Sequence, residues 1–217
     1  MRGKSGASPL LLAVLAGAVI VLFGLSVWLW LAAREPGTDS AEAGFARDMI
    51  THHAQAVEMA EIIRDATEND RINTLATDIT LTQQAQIGQM QGWLNIWGLP
   101  VAGTEPPMAW MDMSPEGIMP GMASREEINR LRDLPPEEAD RLFLQLMIPH
   151  HEAAIPMSNA VLERTSNPAV EKLASSIVAS QEAEISIMQE MLRDIGASPV
   201  EEEESMDMEG MDMSGQE

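Results

Sequence analysis

The chain has 217 residues, 45% of them apolar, with no cysteine and with 34 acidic residues against 13 basic ones, for a net charge of -21. The absence of cysteine excludes disulfides, thiolate zinc sites and thiol nucleophiles together, and the acidic balance repels nucleic acid while attracting cations. The length suits one compact core with appendages.

The N-terminal stretch from Pro9 to Ala33, PLLLAVLAGAVIVLFGLSVWLWLAA, carries no charge. A bilayer-crossing helix needs about 20 such residues, so the sequence predicts an N-terminal transmembrane helix within a segment 1–34. Its apolar run exceeds the roughly 7 to 15 residues of a signal-peptide core, which favours an uncleaved membrane anchor over a cleaved signal. Arg2 and Lys4 precede it, and the positive-inside rule then places residues 35–217 on the extracytoplasmic side, periplasmic or extracellular.

Beyond that segment the chain repeats itself at an offset of 98. Phe45 falls on Phe143, Met49 on Met147, His52 and His53 on His150 and His151, Met59 on Met157, Gln83 on Gln181, Met90 on Met188, and Gly98 on Gly196. The 54 positions from Phe45 to Gly98 contain 19 identities without a gap. An internal duplication of this kind makes each copy, 41–98 and 139–196, one structural unit.

Each copy predicts a helical hairpin. The first helix runs from about Ser40 to Ala66, and the second starts at a cap on Asn69 or Asp70 and ends before Gly98. In the second copy, Asn167 caps a helix with Pro168 at its first position, and Gly196 is the stop. On the first helix Phe45, Met49, His52, His53, Ala56 and Met59 share one face at 100° per residue, and Ile79, Gln83, Ile87, Met90 and Leu94 form a stripe on the second. The predicted fold is therefore all-α: residues 35–198 form an antiparallel four-helix bundle of two repeated hairpins, preceded by the transmembrane helix. Pro149 and Pro156 fall inside the third long helix and predict a bend there.

The connecting segment 99–134 is rich in Pro, Gly and Met, with a short helix starting at the capping-box pair Ser124 and Glu127. The tail 199–217, ending in EEEESMDMEGMDMSGQE, has no apolar periodicity and is expected to be disordered.

All four histidines of the chain stand in the two repeated pairs, framed by methionines. Imidazole and thioether side by side suit copper, so Met49, His52, His53, Met59, Met147, His150, His151 and Met157 are candidate metal ligands. Met90 and Met188 occupy core-stripe positions where methionine also serves as a gap filler. Met108, Met111, Met113, Met119 and Met122 in the loop, and Met206, Met208, Met211 and Met213 in the tail, have no helical face to fill. They form candidate secondary sites in which several thioethers wrap a soft monovalent ion. Binding by the histidines is expected to weaken as pH falls from roughly 7.5 to 5, because the reference imidazole pKa is about 6.5. Neither histidine pair has a glutamate three residues upstream, which argues against a di-iron carboxylate centre.

The motifs FARDMITHHAQAVEMA with TQQAQIGQMQGWL, and FLQLMIPHHEAAIPMS with SQEAEISIMQEML, resemble the domain of unknown function 305 family over about Ala41 to Ala197. That resemblance implies a ferritin-like four-helix fold in exported bacterial proteins that bind copper. It also implies a role for an acidic position on the second helix, which is Glu184 in one copy and Gln86 in the other. A tryptophan of the pattern is Trp93 in the first copy and Met191 in the second.

The expected function is an extracytoplasmic copper-binding protein that buffers, sequesters or transfers the ion in copper tolerance. Cu(I) is favoured over Cu(II), no catalysis is expected, and an envelope copper transporter or oxidase is the partner class implied. A ferritin-like metal oxidase and a structural envelope interaction module are the alternatives.

Overall fold

The computed structural model describes residues 8–32, 35–115 and 117–197. It divides into two units, residues 1–37 and 38–217.

The first unit holds helix α1 (Pro9–Ala32), which has no acidic residue in its first turn and no basic residue in its last. Here the sequence expectation is corrected: among the described residues, no helix is long and apolar enough to cross a membrane. Among the described residues the fold is all-helical.

The second unit contains α2 (Ala41–Ala66), α3 (Asp70–Ile96), α4 (Arg125–Asp133), α5 (Pro136–Leu162) and α6 (Pro168–Asp194), with one 3-10 turn at Ala109–Met111. No strand occurs among the described residues. The two hairpins close by the same chemistry. Asn69 accepts from the Arg71 and Ile72 amides, and Asn167 accepts from the Ala169 amide. Thr67 Oγ1 takes the Asn69 amide at 3.0 Å, and Thr165 Oγ1 takes the Asn167 amide at 3.0 Å. Both turns thus satisfy amides that a helix start leaves without intrahelical partners. At the far ends Gly98 and Gly196 both have φ +68. They let Leu99 N reach Leu94 O at 2.8 Å and Ala197 N reach Leu192 O at 3.0 Å, the six-to-one bond of a Schellman cap. The capping box at Ser124 and Glu127 forms as the sequence implies.

Helix α2 packs chiefly on α3, α5 chiefly on α6, and the hairpins meet through α2 and α5. The connecting segment is not a free loop. Asp48 on α2 accepts the Met108 amide at 2.7 Å and the Trp110 indole N–H at 2.8 Å with one carboxylate oxygen. Trp110 packs edge-on against Phe45, with centroids 6.1 Å apart, and lies directly over Gly44. A Cβ at Gly44 would fall 2.4 Å from the indole ring. Gly44→Ala should therefore displace Trp110 at a cost of about 1–3 kcal/mol. For a domain of this size each kcal/mol is roughly 2–4 °C of Tm, measurable by thermal unfolding together with loss of exchange protection at the Trp110 indole N–H.

Candidate functional site

The buried apolar side chains of the second unit fall into two clusters rather than one. The first contains Ala56, Met59, Ile63, Ile72, Ile79, Phe143, Met147 and Met188, and the second contains Phe45, Met49, Met90, Leu94, Ala154, Met157, Val170 and Ile177. Each long helix of the bundle runs from one cluster to the other, and polar residues occupy the crossing point. These are His52 and His53 on α2, Gln83 and Gln86 on α3, His150 and His151 on α5, and Gln181 with the partly buried Glu184 on α6. The duplication, with α2 and α5 running in opposite senses between the clusters, puts the polar middles of both copies at one level.

All four histidines are at most 1% exposed, and the rings of His52 and His150 lie 3.8 Å apart between centroids. His53 Nε2 is 2.8 Å from Gln86 Oε1, and His151 Nε2 is 2.7 Å from Glu184 Oε2. A neutral imidazole beside a carboxylate donates its N–H to it, which fixes the proton on His151 Nε2 and leaves Nδ1 with an open lone pair. The matching bond to Gln86 Oε1 does the same for His53. Both Nδ1 atoms are buried without a partner, as are His150 Nε2 and both ring nitrogens of His52. Gln83 Oε1 and Nε2 and Gln181 Oε1 are likewise unpartnered. This concentration of unpaired buried donors and acceptors departs from the rule that such groups find partners, and it marks the layer as the candidate site.

Six of the helix methionines, Met49, Met59, Met90, Met147, Met157 and Met188, are fully buried, and Met191 on α6 is buried at 7% exposure. Each cluster draws on both copies: Met59 joins Met147 and Met188 in one, and Met49 joins Met90 and Met157 in the other. The ligand sets legible as separate motifs in the sequence are therefore interleaved in space.

The loop methionines divide. Met108 and Met119 are buried within the second cluster, Met111 and Met122 pack on its edge, and Met113 is exposed. The expectation that none has a core position to fill is corrected for the first two, because the loop folds onto the bundle. Met206, Met208, Met211 and Met213 lie outside the described residues.

The loop also covers the histidines. Gln55, three residues after His52, donates Nε2–H to Ala123 O at 2.9 Å and accepts the Ala123 amide at 2.7 Å. Gly121, at φ +74, sits so close to α5 that a Cβ would fall 2.5 Å from Pro149 O and 3.1 Å from His150 Cα. The Pro120 carbonyl approaches the His52 ring without completing a hydrogen bond. A cleft of ≈ 580 Å³ lies against the other anchor of the loop, at Arg47, Asp48 and Trp110, and no histidine lines it. Asp48 and Gln55 escaped the sequence reading, although a signal existed: their counterparts in the second copy are the apolar Leu146 and Ala153. Polar residues that break a repeat beside its motif mark a docking surface.

A profile of the family described as "Domain of unknown function (DUF305)" matches residues 42–192. The chain belongs to the DUF305 family. Among solved structures, a DUF305 protein of Streptomyces coelicolor described as secreted is 44% identical, with a TM-score of 0.73 over 76% of this chain and 99% of that one. A DUF305 fragment from Deinococcus radiodurans is 36% identical, with a TM-score of 0.61 over 71% of this chain and 96% of that one. CopM in its Cu(I)-bound form is 27% identical, with a TM-score of 0.57 over 71% and 96% of the two chains, and CopM is also known in Cu(II)-bound and Ag-bound forms. An uncharacterized protein of Acanthamoeba polyphaga mimivirus is 43% identical over 53 residues, a match that spans 35% of that relative's length.

In this DUF305 protein, burial controls the protonation of His52, His53 and His150. It lowers the His52 pKa from 6.5 to about 4, aided by repulsion from His151, and the His53 pKa to about 3, aided by repulsion from His52. Burial also holds His150 well below the ordinary value. His52 and His53 stay neutral between roughly pH 7.5 and 5, so neither contributes to the expected loss of ligating imidazole in that range. The same shift makes apo stability pH-dependent. Between pH 6.5 and about 4 the unfolded chain binds a proton at each of these residues and the folded chain does not. Stability is thus complete above pH 6.5 and falls as pH drops, by about 1.4 kcal/mol per pH unit for each histidine. Urea unfolding of the apo protein at pH 7, 6 and 5 should show this slope, and His52→Gln should remove about one histidine's share; an unchanged slope would contradict the burial assignment.

Proposed function

We propose that this protein holds copper in the middle layer of the bundle, with Cu(I) favoured, as an extracytoplasmic buffer or carrier rather than a catalyst. The observation that carries the reading is the set of four buried histidines with unpartnered ring nitrogens between two groups of buried methionines. Neutral imidazole and thioether form a soft donor set that matches Cu(I) and excludes hard cations by chemistry. Among the described residues, no group of three His, Asp or Glu side chains could hold a metal ion, so the thioethers are required to complete a site.

Met49, His52, His53, Met59, Met90, Met147, His150, His151, Met157 and Met188 supply the donors in this reading, and Glu184 acts through His151. Met119 reaches the same apolar cluster from the loop. Copper-bound forms of CopM and the secreted description of the Streptomyces relative support the metal and the compartment. The ion is cargo: the layer offers ligands, a dry environment and a cover.

Titration of the full chain with Cu(I) under reducing conditions should compete with a Cu(I) chelator and raise Tm. At a free ion concentration of 100 times Kd the stabilisation is about 2.7 kcal/mol. The double substitution His53→Ala and His151→Ala should abolish most of that rise while circular dichroism retains the helical signal. Absence of both chelator competition and thermal stabilisation in the parent chain would sink the reading.

A further inference from the structure

The candidate ligands are duplicated at the offset of 98, yet the residues behind them are not. Met49, His52, His53, Met59 and Met90 recur as Met147, His150, His151, Met157 and Met188. The residue that receives the Nε2 proton of the second histidine is a neutral amide in one copy, Gln86, and a carboxylate in the other, Glu184. Among the described residues no lysine or arginine pairs with Glu184, and its ion-pair partner is His151 alone. The charge of Glu184 is thus directed at one histidine.

We infer that Glu184 makes the two halves of the layer unequal metal sites: the half containing His151 takes a soft monovalent cation first and more tightly, and the half containing His53 fills second. The inference rests on the copper reading above. Two effects act in the same direction. A carboxylate that accepts the Nε2 proton raises the electron density of the ring and strengthens Nδ1 as a donor, whereas an amide oxygen fixes the tautomer but does less to the ring. A cation in a layer between two apolar clusters is also poorly screened, so a negative charge one imidazole away stabilises it, and no such charge stands behind His53. Gln86 and Glu184 are both positioning residues, since each acts through a histidine.

The test is titration of the full chain with Ag(I), which does not change oxidation state, read by calorimetry against a competing ligand. Changes behind a ligating histidine move metal affinity by about 10- to 100-fold, and the parent should show two steps separated by about that factor. Glu184→Gln should weaken the tighter step until the two steps nearly coincide. Gln86→Glu should strengthen the weaker step toward the tighter one, and this gain of affinity tests the idea independently if Glu184→Gln lowers stability. In the apo protein the Nε2 proton of His151 should resonate downfield of that of His53, and Glu184→Gln should abolish the difference, a change that a purely structural role would not produce. Two equal steps in the parent, or an unaltered gap in Glu184→Gln, overturn the inference and leave the copper reading intact. A parent chain that binds neither Ag(I) nor Cu(I) overturns both.

Discussion

Four imidazoles buried inside a helical core set the terms for the rest of the structure. Burial makes the charged forms of His52, His53 and His150 unfavourable, and several of the imidazole nitrogens have no partner in the fold. A buried polar group left unpaired costs about 1–3 kcal/mol, so the bundle carries this layer at the expense of stability. The two apolar clusters offset that cost from either side: the large buried side chains of Phe45, Met49 and Leu94 lie in one, and those of Ile63, Ile79 and Phe143 in the other. Strain or unsatisfied polarity that persists in a folded protein is found at functional positions, and here most of it lies at the level where each long helix passes between the clusters.

The loop between the hairpins belongs to the same arrangement. Its two attachments, at Asp48 and at Gln55, stand on α2 on either side of His52. Between them the chain presses onto α5 at Pro149 and His150, where the left-handed conformation and missing side chain of Gly121 permit the contact. The histidines are thereby closed over by backbone as well as by apolar side chains, which is why the cleft beside Trp110 gives no access to them.

Much of this was legible before any coordinates. The offset of 98, the caps at Asn69 and Asn167 and the stops at Gly98 and Gly196 define both hairpins, because local rules govern helix ends and both copies obey them. The face carrying Met49, His52, His53 and Met59 is buried as its periodicity requires. Three things lay beyond a periodicity argument. The apolar N-terminal stretch read as a membrane span, an expectation that the described part of α1 does not meet. The pairing of Met49 with Met157, and of Met59 with Met147, depends on how the hairpins face one another, which neither copy encodes alone. The burial of Met108 and Met119 depends on contacts made by Asp48 and Gln55 across about 60 and 68 residues of chain.

The interleaving of the copies also bears on how such a site could arise. One hairpin by itself owns only part of each methionine cluster, so a single-hairpin ancestor would have needed a second copy of itself to close the layer, as a symmetric homodimer. In that state every substitution appears twice, and the two halves are obliged to remain identical. Joining the copies in one chain removes the obligation. Gln86 and Glu184, Trp93 and Met191, and Asp48 and Leu146 are differences of that kind between the two copies.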